Sequence, residues 1–365
     1  ITEFNKTNDL LYDSAWKSQF LSGLMQPIST FVGNLGYVGV AILGGYLAMQ
    51  GSITIGDIQS FITYVRSFNQ PISMIAQNMN VLQSTAAAAE RVFEFLGEEE
   101  EVAECAHPVE IFDAQGNTSI QGQVTFENVH FGYTPDKIII HDFSMYIKPG
   151  KKIAIVGPTG AGKTTIIKLL MRFYELNSGA IYIDGIKTTD MRRKDLRSLF
   201  GMVLQDAWLF NGTVMENLRY GKLDATDEEV IRAADAAYVD HFIRTLDHGY
   251  DTVINEESSN ISQGQKQLLT IARAFLADPK ILILDEATSS VDTRTEVLIQ
   301  KGMDKLMENR TSFVIAHRLS TIRDADLILV MKDGDIVEAG NHEELMQADG
   351  FYTQLYNSQF DAEEE

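Results

Sequence analysis

The fifteen residues from Lys151 to Thr165, KKIAIVGPTGAGKTT, have the composition and spacing to hold a phosphate chain. An apolar run from Ile153 to Val156 enters a loop of Gly157, Pro158, Thr159, Gly160, Ala161 and Gly162. The chain leaves that loop through Lys163, Thr164 and Thr165 into the helical pattern IIKLLMRF. Strand, glycine-bounded loop and helix in that order read as a P-loop. Glycines let the backbone curl until successive N–H groups face the phosphate oxygens, and the following helix brings its partially positive end to the same anion. Lys163 adds a point charge, and the Thr164 hydroxyl is placed to ligate a magnesium ion bridging the terminal phosphates.

Hydrolysis needs further groups around that cradle. Ile281 to Glu286, ILILDE, is an apolar strand delivering two carboxylates at its C-terminal end, where open α/β sheets hold their ligands. Asp285 suits the magnesium shell and Glu286 suits polarising an attacking water. Another buried run, Ser312 to Ala316, ends in His317, and Gly201 to Gln205 is a short strand with a polar end. Beside a P-loop and an acidic pair, His317 becomes a γ-phosphate contact. Upstream, Tyr133 closes the alternating stretch VTFENVHFGY and is placed to stack on an adenine ring. Each of these three residues, met alone, would fit a structural role equally well.

Positioning these groups requires an α/β sheet. Strands are expected at Val124–Tyr133, Ile138–Ile147, Ile153–Val156, Ile181–Ile183, Gly201–Gln205, Ile281–Glu286 and Ser312–Ala316. Turns are expected at Pro149-Gly150 and Asp184-Gly185, and mostly helical patterning after Phe210 to about His248.

The first hundred residues are of another kind. No charge occurs between Ser18 and Gly56, and Phe31 to Met49 is nearly all apolar or glycine. Those nineteen residues span about 28 Å as a helix, close to the hydrocarbon thickness of a bilayer. Past a turn at Gly51-Ser52, a second uncharged stretch runs from Ser67 to Ala89 and completes a helical hairpin expected to cross a membrane. This second helix carries Gln59, Thr63, Arg66, Asn69 and Gln70, so it is expected to line a pathway. The alternative is a pair of buried helices in a soluble protein. The expected organisation is therefore a membrane segment at 1–97 with helices at about 18–50 and 57–96, a linker at 98–122, a nucleotide domain at 123–360 and an acidic tail at 361–365. A first residue other than Met leads us to expect more helices before Ile1. The net charge of −21 argues against nucleic acid as a partner, and the single cysteine, Cys105, excludes an internal disulfide framework.

The strongest motif comes last. Asn260 to Leu269, NISQGQKQLL, followed from Ile271 by IARAFLADPKILILDEATSSVD, resembles the signature, Walker B and D-loop segments of ATP-binding cassette (ABC) transporters. P-loop, Gln205, signature, Asp285-Glu286, Ser289 to Asp292 and His317 stand in that family's order. Residues 23–96 resemble the last two transmembrane helices of ABC exporters. The resemblance implies an α-helical transmembrane segment, two helices of a larger bundle, followed by an α/β P-loop NTPase domain of ABC type with a helical subdomain. It implies ATP as substrate with Mg2+, Tyr133 on adenine, and Gly157 to Thr165 on the phosphates. Thr164, Gln205 and Asp285 would lie at the metal, and Glu286, His317, Lys163 and Gln205 at the reacting γ-phosphate. Ser262, Gly264, Gln265 and Asp292 would face ATP held by an opposing subunit, and residues 206–210 would border the groove that receives coupling helices.

Two departures from the family stand out. The usual signature LSGGQ is ISQGQ here, so Gln263 puts a long side chain where backbone approaches a phosphate, and residues 254–259 lack the usual glycines. Such changes resemble one half of a heterodimeric exporter; a homodimer that tolerates Gln263 is the alternative. The implied setting is a multi-pass protein, in the plasma membrane, with its ATP-binding domain in the cytoplasm, moving a small molecule, lipid or peptide. A soluble ABC ATPase of the kind acting in DNA repair would fail to partition into membranes. A non-hydrolysing scaffold would have no need of Glu286.

Overall fold

The computed structural model describes residues 2–134, 136–204, 207–254, 261–285, 291–315 and 322–360. The chain separates into two compact units, Ile1–Glu101 and Val102–Glu365.

The first unit is a helical hairpin of α1 (Thr2–Met49) and α2 (Ile55–Leu96). Helix α1 begins some fifteen residues earlier than its apolar pattern suggested, because charge excludes Lys6 to Lys17 from a bilayer but not from a helix. Lys17 and Asp13, one turn apart, pair at 3.3 Å. Thr54 and Asp57 cap α2 reciprocally, and near the turn the two helices come so close that a Cβ on Gly44 would lie 2.9 Å from Ile58. Among the described residues, Thr30–Met49 is the stretch long and apolar enough to cross a membrane, and only 6% of it is buried. That exposure is not what a buried core helix of a soluble protein shows, and such large apolar faces need lipid or other helices. Helix α2 has the length, but its polar side chains lower its hydropathy. Two of those are held locally: the Thr63 hydroxyl donates to the Gln59 carbonyl at 3.0 Å, and the Arg66 guanidinium lies over the Tyr37 ring at 5.6 Å.

The second unit is built on a six-stranded sheet in the order β12-β11-β3-β10-β9-β6. Its strands are β3 (Lys152–Val156), β6 (Phe200–Val203), β9 (Ile281–Asp285), β10 (Thr311–Ile315), β11 (Leu327–Lys332) and β12 (Asp335–Gly340). All neighbours are parallel except the β11–β12 hairpin. Strand alternation sorts the apolar side chains to two faces. Ala154, Val156, Leu282, Leu284 and Val314 face one core, and Ile153, Ile155, Ile281, Ile283 and Phe313 face the other.

On the second face lie helix α3 (Lys163–Leu170) and an antiparallel sheet ordered β2-β1-β4-β5. It comprises β1 (Val124–Phe131), β2 (Ile140–Ile147), β4 (Ser178–Ile183) and β5 (Ile186–Lys187). On the first face pack helices α5 (Val214–Arg219), α6 (Asp227–Ala236), α7 (Asp240–Thr245), α8 (Gln263–Ala277) and α9 (Thr293–Met307). A short α4 (Arg193–Ser198) leads into β6, β7 (Gly212–Thr213) pairs antiparallel with β8 (Val253–Ile254), and α10 (His342–Gln347) and α11 (Phe351–Phe360) end the fold. The acidic connector has no regular element but is tied down: the Arg193 N–H donates to Glu104 at 2.8 Å and its guanidinium to the Val102 carbonyl at 2.7 Å.

Candidate nucleotide site

The parallel register brings the chemistry to one edge. Ile155 pairs with Ile315, and Ile315 pairs with Asp285, so the loop after β3 and the Asp285 carboxylate end level, about 10 Å apart across two strand spacings. Strand β10 lies between them and leads toward His317, while Val203 pairs with Leu284 and starts the chain toward Gln205. Three residues proposed for the reacting γ-phosphate, Gln205, Glu286 and His317, lie outside the described residues, as do Asp206, Ser289, the stretch 255–260 and the tail 361–365.

Glycine is required in the loop itself. At Gly157 φ is +148°, and a Cβ there would sit 2.2 Å from the Met331 carbonyl oxygen; at Gly162 φ is +99°, with Ile140 2.8 Å from the added atom. Gly162 is the N-cap of α3 and gives that helix no side-chain hydrogen bond. The first N–H groups of α3 are thus free of internal partners and fit an anion. The Lys163 ammonium donates to the carbonyls of Gly157 at 2.6 Å and Pro158 at 3.0 Å. Burial holds its pKa below the ordinary lysine value, opposed by the Asp285 charge. Thr164 is exposed and Asp285 partly so; hydroxyl and carboxylate oxygens are the hard donors that suit Mg2+ in company with phosphate. Thr165 is buried, and its hydroxyl pairs with the Tyr133 hydroxyl at 3.3 Å. That leaves its backbone N–H as its contribution to an anion.

Tyr133 sits in an aromatic corner. Phe131 and Tyr174 meet it edge-on, each with ring centroids 5.0 Å away, and Lys168 of α3 lies 5.8 Å from its ring centre. Tyr174 and Lys168 were not singled out in the sequence, although an aromatic pair just past the P-loop helix was a visible signal.

The signature residues form the N-terminus of α8. Ser262 is its N-cap: the Ser262 hydroxyl accepts from the Gln265 N–H at 3.3 Å, and the Gln265 carboxamide oxygen accepts from the Ser262 N–H at 2.9 Å. Gly264 is buried, and a Cβ would come within 2.6 Å of Thr295 and 2.7 Å of Val291, where α9 begins. Asp292 caps that helix, accepting from the Thr295 N–H at 3.0 Å. Gln263 occupies the first turn of α8, exposed and without positive φ, so the residue that departs from the motif strains nothing in this chain. The packing demand falls on Gly264.

Behind β6 lies a groove of about 360 Å3 lined by Met202, Leu204, Trp208, Tyr220 and Arg273. The pairing of its Arg273 with the buried Asn217 beneath was also missed in the sequence, because the two are 56 positions apart and only the fold joins them.

Comparison with known proteins decides the family. The model described as ABC transporter transmembrane region matches residues 1–72, and that described as ABC transporter matches residues 140–289. The chain belongs to the ABC transporter family. Among relatives of this ABC transporter chain, the fatty acid ABC transporter ATP-binding/permease protein of Mycobacterium bovis is 54% identical over 352 residues, covering 96% of this chain and 54% of that protein. The ATP-dependent lipid A-core flippase of Desulfotalea psychrophila is 39% identical, covering 98% and 62%. The chain thus spans little more than half the length of the relatives it matches. A solved structure of a bacterial Atm1-family ABC exporter with ATP bound is 37% identical, with a TM-score of 0.68, covering 95% of this chain and 60% of that one. The ABC transporter fold expected from the motifs, helices fused to an α/β ATP-binding domain, is the fold observed.

Proposed function

We propose that this chain acts as one half of an ATP-driven exporter, binding ATP with Mg2+ at its P-loop and hydrolysing the γ-phosphate by in-line attack of water. The observation that carries this reading is the shared sheet edge: an uncapped α3 N-terminus behind a glycine cradle, level with Asp285 and with the strands leading to Gln205, Glu286 and His317. Lys163 and the α3 N–H groups hold the phosphates and Tyr133 the adenine. Thr164 and Asp285, with Gln205, hold the metal, which neutralises charge on the phosphates. Glu286 polarises the water, and His317 contacts the γ-phosphate. Ser262, Gly264 and Gln265, with Asp292 behind them, complete the shell around a nucleotide held by an opposing domain, so ATP draws two domains together. Closing and reopening that sandwich is the two-state element that turns membrane helices between inward- and outward-facing forms.

The setting is a multi-pass protein of the plasma membrane with its ATP-binding domain in the cytosol, where ATP is. The partner is a second half-transporter. A heterodimer is favoured because Gln263, in place of the family's glycine, stands exposed at the α8 N-terminus, the end that would face a nucleotide held opposite; a homodimer that tolerates it is the alternative. The names of the relatives, fatty acid and lipid A-core, favour an acyl-chain lipid over other small molecules or peptides as cargo. The test is steady-state ATPase activity of the protein alone and with a partner half. Activity alone, lost on Glu286→Gln, supports the homodimer. Turnover only with the partner, lost on Glu286→Gln here and kept when the partner's matching residue is changed, supports the heterodimer. Absence of ATPase activity in both preparations overturns the exporter reading.

A further inference from the structure

Arg273 lies near the C-terminal end of α8, eleven residues and about 16 Å along the helix from Ser262. Its side chain leaves α8 and is spent on another part of the unit. Nε donates to the Asn217 carbonyl at 2.6 Å, Nη2 to the Asn217 Oδ1 at 2.7 Å and Nη1 to the Trp208 carbonyl at 2.6 Å. The guanidinium also lies over the Tyr220 ring at 5.6 Å. Asn217 is fully buried and uses its whole amide. Nδ2 donates to the carbonyls of Phe210 and Thr213, both at 3.0 Å, and Oδ1 accepts from the Phe210 N–H at 3.1 Å as well as from Arg273. Two donors and two acceptors are all it has. Burial draws Arg273 down to about 10, the mark of a charge held inside the unit.

The network ties three things: α8, which begins with the signature residues; α5, which carries Asn217; and the segment from Trp208 to Thr213, whose Trp208 lines the groove beside Tyr220 and Arg273. A fully satisfied buried network of this kind fixes geometry, because any displacement of one member leaves another unpaired. We infer that Arg273 and Asn217 are positioning residues, which make the segment Trp208–Thr213, and with it the groove wall at Trp208, move as one piece with the signature helix. Resting on the exporter reading, this gives domain closure a route from the nucleotide to the groove: when α8 shifts toward a nucleotide held opposite, the wall shifts with it.

The experiment is hydrogen exchange on the full protein in lipid nanodiscs, with its partner half if required, with and without a non-hydrolysable ATP analogue and Mg2+. The peptide spanning 207–219 reports the wall. In the parent, exchange there is expected to slow by about tenfold on nucleotide binding. Arg273→Lys keeps the charge but replaces a three-pronged fork by a point donor. Asn217→Asp keeps the acceptors for Arg273 and loses the donors to Phe210 and Thr213. Both variants are expected to bind nucleotide within about twofold of the parent affinity, as neither touches the P-loop, and to lose the slowing. A role in folding alone would leave the nucleotide-dependent difference in place. The inference is overturned if both variants respond as the parent does, or if the parent binds nucleotide without a response at 207–219. A parent that binds no nucleotide sinks the exporter reading, and the inference with it.

Discussion

Helices α3 and α8 carry the two ATP-facing motifs of this family, and their N-termini are built in opposite ways. Helix α3 starts at a left-handed glycine and receives no side-chain cap; α8 starts at Ser262 with both arms of a capping box closed. The first therefore has backbone donors with no internal partner, an anion site complete within one chain. In the second, the capping box satisfies the N–H groups of Ser262 and Gln265, and under the proposed function those of Gln263 and Gly264 would meet a phosphate from outside. Its box is also unlike the others described: Thr54 with Asp57, Thr213 with Glu216, Thr226 with Glu229 and Asn341 with Glu344 pair a cap with a carboxylate, whereas Ser262 pairs with the neutral Gln265. A neutral third residue closes the cap without putting negative charge where a phosphate must come. On the proposed function, one end would bind by itself, and the other only when two domains meet.

Breaking the α3 side should have the largest effects. Gly157→Ala drives a Cβ against the Met331 carbonyl at a φ of +148°, and nucleotide affinity measured with a fluorescent ATP analogue is expected to fall by about a hundredfold or more. Lys163→Ala removes one cationic donor, and turnover is expected to drop by about a hundredfold. The loop should persist, since the lysine's bonds are to its own loop carbonyls. On the α8 side, Gln265→Glu keeps the capping geometry and adds the missing charge. ATP affinity should stay within about twofold while turnover falls by about tenfold, in ATPase assays against nucleotide concentration.

The smallest effect tests the scaffold common to both helices. Asp326 accepts from the Lys151 ammonium at 2.8 Å and the Lys152 N–H at 2.9 Å. Burial raises its pKa, but those bonds outweigh burial and the net shift is downward. The carboxylate thus stabilises the folded chain above its unfolded pKa, and the contribution is lost as pH falls through the lowered value. Asp326→Asn should cost no more than about 1 kcal/mol near neutrality, given the pair's exposure, with the difference from the parent vanishing in acid denaturation profiles.

The contrast between the two helices was half legible in the sequence. Glycines at 157 and 162 spelled out the cradle because only glycine takes those angles, and the alternation of Ile153 and Ile155 with Ala154 and Val156 announced a strand buried on both faces. An α/β sheet with Asp285 at a strand's C-terminal end was expected; its parallel register, which sets Asp285 level with the P-loop, came from the fold. Where α1 begins did not follow, because the pattern was read for bilayer solubility and a helix needs only propensity. The sequence placed the long Gln263 side chain where backbone approaches a phosphate; the fold adds that Gln263 takes an ordinary helical position with an exposed side chain, and that the packing demand for glycine within this chain falls on Gly264, against α9. Arg273 with Asn217, and Arg193 with the linker, are joined by tertiary contact alone, and neither pair has a spacing that periodicity could reveal.

The most direct test uses the exposed Cys105, the single cysteine of the chain, as the site of a spin label, with a matching label on the partner half. In lipid nanodiscs, with turnover blocked by Glu286→Gln, the distance between labels is measured with and without ATP and Mg2+, in the parent and in Gln265→Glu. ATP is expected to shorten the distance in the parent and to leave it unchanged in Gln265→Glu, while both bind ATP with the same affinity. Equal closure in the two proteins, or loss of ATP affinity in Gln265→Glu, would contradict the division of labour between α3 and α8.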